Sequence, residues 1–437
     1  MEAIAKNALE TTSAIAIERS TSQEVSAVVI PSPSPAPEPI EADNNNVEAV
    51  EELPHRNAVI ERQHLAAAFE IVSTVIESRN HIPVLDNARV TASGNLATIT
   101  ATDLDIEIAV TLPAAIDAGF DVTIPAKKMK ELLKGAPKAD YVAFENDGDV
   151  VAADFKKVRY RLKAISASDF PTLRGPADGA YFIMRGADIV NGIDAVAGAI
   201  STEETRYYLN GIFFERHDGH DGQELRMVAT DGHRLYMQKL ELPGVIGKWP
   251  SMGYQQGVII PRKVVGLLSK LMRGKNRPDC IAITVADNAS RFVFSYEFGE
   301  VTITAKNIDG TFPDYQRVIP RWSNFPAARF DSEGLAEGIK AVSLISSEKV
   351  RAFKLSVDGN GAQLVVNNPD TGSAVANTPC QWESEPTEIG FNARYILDAL
   401  DVAGNGDVSI YLQDPGAPGV VIGKREGWLA VVMPMRV

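Results

Sequence analysis

The chain has 437 residues, 45% of them hydrophobic and 23% charged, and a formal net charge of −14. This is the composition of a water-soluble globular protein with room for roughly two to four domains. No apolar run is long enough to cross a bilayer as a helix. The amino terminus, with Glu2 and Glu10, lacks the basic-then-apolar layout of a secretion signal, so a cytoplasmic protein is expected. Cys280 and Cys380 lie far apart without metal-type spacing; a reducing compartment fits them, and a single disulfide stays open.

Residues 1–56 hold ten acids and three bases, a net of −7, and residues 57–437 carry the other −7. This first segment has five prolines between Pro31 and Pro39, then Asn44–Asn46 and a run of glutamates. It offers too little apolar surface to offset the entropy of ordering it, so a disordered tail is expected.

The body from about Asn57 carries a pattern repeated three times. Each unit is expected to open with an amphipathic helix: His64–Ser78, Asp188–Thr202 and Gly334–Glu348. In the first, Leu65, Ala68, Phe69, Val72 and Ile76 fall at three- and four-residue steps, giving one apolar face. Alternating strands follow, such as Ala97–Val110. A second helix comes next, after Ile124-Pro125, after Ile260-Pro261 and after Gly390-Phe391. Proline suits the first helical position because its missing N–H has no partner there. These second helices start about 135 and 130 residues apart, a domain-sized period. Strand pairs over Tyr141–Ile165, Ile281–Asn307 and Val408–Pro434 close the units. The expected divisions are a tail at 1–56 and domains at 57–178, 179–321 and 322–437. The fold class is α+β, with two helices and antiparallel sheets in each of three tandem domains.

Two second helices are basic. Residues 125–138 hold five bases against one acid, and residues 261–277 hold six bases and no acid. They read either as solvated lysine-rich faces or as a local positive field for phosphate.

The segment Ala229-Thr-Asp-Gly-His-Arg-Leu-Tyr236 looks catalytic on its face, since Asp231 and His233 could form a base and its orienter or a metal pair. The further groups such a site needs are missing from the sequence. Asp231-Gly232 reads equally as a turn, and Ala101-Thr-Asp103 echoes it. His217-Asp-Gly-His-Asp-Gly222 resembles a metal motif but reads better as a hairpin turn between Ile212–Phe214 and Leu225–Val228.

Four motifs, at family spacing, carry a resemblance. Arg206–Glu215, Val228–Leu235, Phe312–Val318 and the terminal Val431-Val-Met-Pro-Met-Arg-Val437 resemble the bacterial DNA polymerase III beta subunit, the sliding clamp. The likeness covers about Ala58 to Val437. It implies a non-catalytic processivity factor without cofactor or metal, dimerising head-to-tail into a closed six-domain ring. The partners it implies are encircled double-stranded DNA, the polymerase III alpha subunit, the clamp loader and other clamp-motif proteins, with no membrane.

The resemblance also implies residues. Leu209, Thr230, Gly232, His233, Arg234, Leu235, Pro313, Arg317, Val318, Tyr395, Val431, Met433, Pro434, Met435 and Arg436 would form a pocket for short partner peptides. Its arginines would pair with groups on the ligand. Arg79 and Tyr208, with Lys127, Lys128, Lys134, Arg262 and Lys263 on the basic helices, would face DNA. Tyr160 and Leu162 of one chain would meet Leu344 and Ile345 of the other. Two other readings stay open from sequence: a hydrolase using Asp231 and His233, and a diverged plasmid or phage clamp paralogue with restricted partners.

Overall fold

The computed structural model describes residues 56–219, 222–251, 256–274, 277–345 and 352–436. The expected tail, apart from Arg56, therefore lies outside the described residues.

The first unit runs β1 (Ala58–Glu61), α1 (Arg62–Val72), β2 (Asn87–Ser93), β3 (Leu96–Thr102), β4 (Ile106–Pro113), β5 (Ala115–Ile116), β6 (Phe120–Pro125), α2 (Ala126–Gly135), β7 (Tyr141–Asn146), β8 (Val150–Phe155), β9 (Val158–Lys163) and β10 (Ile165–Ser166). The second runs β11 (Ala180–Arg185), α3 (Gly186–Val196), β12 (Gly211–Gly219), β13 (Gly222–Thr230), β14 (Arg234–Glu241), β15 (Gly257–Pro261), α4 (Arg262–Leu271), β16 (Cys280–Val285), β17 (Ala289–Tyr296) and β18 (Gly299–Lys306). The third runs β19 (Ala327–Asp331), α5 (Ser332–Ser343), β20 (Ala352–Asp358), β21 (Gly361–Asn368), β22 (Gly372–Thr378), β23 (Thr387–Asn392), α6 (Ala393–Ala403), β24 (Asp407–Tyr411), β25 (Gly419–Ile422) and β26 (Trp428–Val432).

Apart from the short β5 and β10, the three units share one element order, so each strand has two counterparts. The sheets do not respect the units. A nine-stranded sheet, β10-β6-β2-β3-β4-β18-β17-β16-β11, joins the first unit to the second, and an eight-stranded one, β15-β12-β13-β14-β26-β25-β24-β19, joins the second to the third. At the first seam Ile106 pairs with Ala305 and Ile108 with Ile303. At the second, Arg234 pairs with Val432 and Tyr236 with Ala430. Two smaller sheets remain, β5-β1-β7-β8-β9 and β22-β21-β20-β23. Their edge strands β9 and β22 are the counterparts of the strands joined at both seams.

Helices lie on one side of these sheets, packed pairwise as α1 with α2, α3 with α4 and α5 with α6. Leu65, Ala68, Phe69 and Val72 of α1 are buried, as the three- and four-residue steps predict. The opening helices are shorter than expected. After Val72 the Ser73 and Thr74 hydroxyls donate back to the carbonyls of Phe69 and Ile71, each at 2.5 Å, competing with the helix ladder. In the second unit, α3 gives way to a 3₁₀ turn at Ala197–Ala199. In the third, Glu348 lies outside the described residues. The alternating run Ala97–Val110 is two strands rather than one, broken at residues 103–105 by a turn containing Leu104 at φ 79°. A non-glycine residue seldom takes that conformation, so the sequence carries no glycine cue for this break.

A small second core sits on the opposite face of the eight-stranded sheet. It gathers Leu209, Phe213, Val228, Leu235, Met237, Ile259, Phe312, Tyr315, Val420, Leu429 and Val431 beneath the connection between β18 and β19. Burial on both faces explains why β26 is buried at every position instead of alternating.

Candidate functional site

The turn between β13 and β14 is built by two side chains. Thr230 Oγ1 donates to the Arg234 carbonyl at 2.7 Å and accepts from the Gly232 amide at 3.1 Å. Asp231 Oδ1 accepts from the amides of His233 (2.9 Å) and Arg234 (3.0 Å). The same four bonds recur one unit earlier: Thr102 Oγ1 to the Ile106 carbonyl, the Leu104 amide to Thr102 Oγ1, and the Asp105 and Ile106 amides to Asp103 Oδ1. The Ala-Thr-Asp echo is thus one side-chain-capped turn made twice. Both copies place the residue after aspartate at positive φ, 79° at Leu104 and 89° at Gly232; glycine takes it without strain, leucine at a cost of about 1 kcal/mol or more.

Asp231 spends both oxygens within the turn, Oδ2 accepting the Arg234 Nε at 3.2 Å, and among the described residues none of these bonds joins it to a histidine ring. No group of three His, Cys, Asp or Glu side chains is placed to hold a metal among the described residues. In the His217 segment, β12 and β13 form the expected hairpin, with Gly219 paired to Gly222; His220 and Asp221 lie outside the described residues.

Around the turn the terminal segment folds back. The Met433 amide donates to the His233 carbonyl at 2.9 Å and the Met435 amide to the Gly390 carbonyl at 2.8 Å. These bonds bring Met433 (39% exposed) beside His233 and Met435 (41%) beside Gly390; the His233 ring stacks on Tyr395 at 6.3 Å. Leu209, Leu235 and Val431 meet in the second core. Pro313, Arg317 and Val318 lie exposed on the connection over that core, with Arg317 paired to Asp314 at 2.7 Å. That connection is pinned by the stack of Phe312 on Phe213 at 4.9 Å and by the Tyr315 hydroxyl, which donates to buried Glu215. Burial and the Glu215 carboxylate push the Tyr315 phenol well above its usual range, so it stays a donor at neutral pH.

Arg234 departs from expectation. Only 8% exposed, it points inward, and its hydrogen-bonding groups are taken by Asp231, Asp398, Gly198 and Tyr236. A rim arginine pairing with a ligand does not describe it. Asp398 and Gly198 were not anticipated as part of this site. Asp398 lies 164 positions from its partner, and its sequence surroundings show only a helical charge beside Arg394.

The lysines expected on a positive face have partners too. Lys127 donates to the Glu77 carbonyl at 2.9 Å, Lys128 pairs with Glu131 at 2.5 Å, and Lys134 with Glu70 at 3.3 Å. Lys130, followed by Lys134, holds the Glu70 carboxyl below the usual range. Lys263 reaches into the first unit to bond Asp103 and Glu77. The exposed pairs with Glu131, Glu70 and Glu77 contribute about 0–1 kcal/mol and are readily exchanged, whereas the Asp103 side chain is largely buried. Arg79 and Arg262 are exposed, and Tyr208 lies half-buried with its ring edge-on to Tyr207 at 5.8 Å.

On the free edges, Leu344 is 88% exposed and Val375 of β22 is 58% exposed. Leu162, expected at an interface, is buried in its own unit at 8%, and Tyr160 packs edge-on against Phe155 at 5.6 Å. Both face the interior because residues two apart on a strand share a face. Ile345 packs partly against its own core.

The first seam is built differently beside its turn. Where the second has Leu235, the first has Glu107, whose carboxylate accepts the Leu173 amide at 3.0 Å, drawing the connection between the first two units across the sheet. Burial raises the Glu107 pKa.

Residues 57–174, 184–314 and 316–436 match the N-terminal, central and C-terminal domains of the DNA polymerase III beta subunit. The chain is 36% identical over 386 residues to the beta sliding clamp of Caulobacter vibrioides, covering 86% of this chain and 99% of that one. It is 31% identical over 383 residues to the beta sliding clamp of Vibrio cholerae, at the same coverage of 86% and 99%. Among solved structures, the Caulobacter crescentus beta sliding clamp superposes with a TM-score of 0.79 at 35% identity, over 87% of this chain and 100% of that one. The sliding clamp of Bartonella birtlesii bound to griselimycin gives 0.76 at 34%, over 88% and 100%. Fold and matches define a non-catalytic subunit of the replication machinery, not a hydrolase. The chain belongs to the DNA polymerase III beta subunit family, the DNA sliding clamps.

Proposed function

We propose that two copies of this chain close head-to-tail into a six-domain ring around duplex DNA, with the domains divided at 57–178, 179–321 and 322–437. The reading rests on one observation. Each internal seam joins the fourth strand of one unit's repeat to the last strand of the next, and among the described residues one edge of each kind stays unpaired, β22 and β9. A second copy supplies the complementary edge to both.

The internal seams also supply a register. Matched through the two seams, Leu162 corresponds to Ala305 and Val432, and Gly372 to Ile106 and Arg234. Gly372 then faces Leu162 of the partner chain, Ser373 faces Arg161 and Ala374 faces Tyr160. The faces agree, since Ser373 and Arg161 are exposed while Ala374 and Tyr160 are half-buried. Cysteines at Ser373 and Arg161, with Cys280 and Cys380 replaced by serine, are expected to crosslink the dimer covalently on mild oxidation, as read by non-reducing electrophoresis. Efficient crosslinking of Val375→Cys with Arg161→Cys instead would mean a different register.

A ring holds DNA by topology and does not need strong affinity, which suits an acidic chain, because phosphate neutralisation drives non-specific binding. Arg79, Tyr208, Lys127, Lys128, Lys134, Arg262 and Lys263 are the proposed DNA-facing residues, the lysines exchanging weak carboxylate and carbonyl partners for phosphate. The dock at the second seam takes short peptides from the polymerase III alpha subunit, the clamp loader and other clamp-motif proteins. Met433 and Met435 adapt to varied apolar side chains, Val318 adds exposed apolar surface, and Gly232 admits the peptide backbone. The workplace of such a protein is the cytoplasm. The deciding experiment is retention on nicked circular DNA compared with the same DNA linearised. The protein is expected to stay on the circle and run off the ends; equal retention on both would overturn the ring.

A further inference from the structure

Arg234 lies in the turn that borders the dock, yet its guanidinium points away from solvent into the seam between the second and third units. Nη1 donates to Asp398 Oδ2 at 2.6 Å, and Nη2 to the Gly198 carbonyl at 2.6 Å. Nε reaches Asp231 at 3.2 Å. The guanidinium also lies 4.6 Å from the Tyr395 ring centroid. One rigid cation thus ties three places: the turn, the end of the α3 region, and helix α6 through both Asp398 and the Tyr395 ring. A planar fork with several fixed donors suits this task where a lysine point charge does not.

We infer that Arg234 is a positioning residue that sets the shape of the peptide dock by the state of the seam, acting through Asp398; this rests on the dock reading above. Tyr395 and Asp398 sit on one helix of the third unit, while the turn and His233 belong to the second. A change in the angle between the units moves the two walls of the dock relative to each other, and the Arg234–Asp398 bond is the contact that registers them. Peptide occupancy and the seam are thereby coupled, and by linkage each biases the other.

The test uses the full-length protein and a fluorescent peptide copying the carboxyl-terminal tail of the polymerase III alpha subunit. Asp398→Asn takes the charge from a partner that lies outside the dock and weakens its bond to Arg234, so it is expected to weaken the peptide about fivefold. Arg234→Lys, which also loses the bond to Gly198, should weaken it at least as much, and the double variant no further than Arg234→Lys alone, because the contact with Asp398 is already lost there. Hydrogen exchange at the Arg234 and Met433 amides should quicken in each variant without peptide present, and thermal melting verifies that the chain stays folded. If Asp398→Asn binds normally while Arg234→Lys binds weakly, Arg234 meets the peptide directly and the inference fails. Additive losses also overturn it. Met433→Asp separates the two ideas: if it leaves binding intact, the dock itself is misassigned, whereas lost binding with a neutral Asp398→Asn sinks only the coupling.

Discussion

A chain ending at Val432 is expected to lose the polymerase-tail peptide, by about a hundredfold or more, while remaining a dimer. The cut falls where β26 ends, so the ladder from Arg234–Val432 to Gln238–Trp428 is untouched. What goes is the segment whose amides reach His233 and Gly390 and whose methionines give the dock its exposed apolar side chains. Fluorescence polarisation with the labelled peptide and sedimentation on the same sample separate the two consequences. Unchanged affinity in the truncated chain would move the dock elsewhere, and loss of the dimer would mean the terminal segment also serves the ring.

Leu344→Asp is expected to have the larger effect on assembly. The side chain is 88% exposed in the single chain, so the substitution costs the isolated fold little. In the proposed ring it is covered, and a carboxylate buried there without a partner costs about 3 kcal/mol or more. That penalty falls on both interfaces and lowers the dimer constant by at least about a hundredfold for each. Sedimentation in the low micromolar range should show monomer, and retention on nicked circles should vanish. A full dimer under those conditions would remove Leu344 from the interface. Ile345 is a poorer probe, because it also packs on its own core and its carbonyl receives Asn368 and Thr371.

What could be read in advance followed the reach of each interaction along the chain. The helix faces and the Ala-Thr-Asp turn are local, and spacing alone discloses them. The break at Leu104 is local as well, yet it is made by side-chain capping at a leucine, so no glycine marks it. The sites of Leu162 and Arg234 depend on distant partners. An alternating strand does not reveal which of its faces meets its own core, and no pattern near Arg234 announces Asp398. Hydrophobic runs such as β26 were legible as strands, but their two-sided burial depends on the connection that crosses them.

That connection and its counterpart in the first half of the chain, held by Tyr315 on Glu215 and by Leu173 on Glu107, do more than cover apolar surface. Each is a safety cord laid over a seam. Strands parted there stay within reach of each other, at an effective concentration on the order of millimolar, and rejoin at once. In the proposed ring the two seams between copies share the ladder but have no cord, so strands parted there are held only through the far side of the ring. Of the six links in such a bracelet, only those two behave as clasps. A machine that pries at any of them, without recognising which is which, finds that only a clasp stays open long enough to pass a strand of DNA.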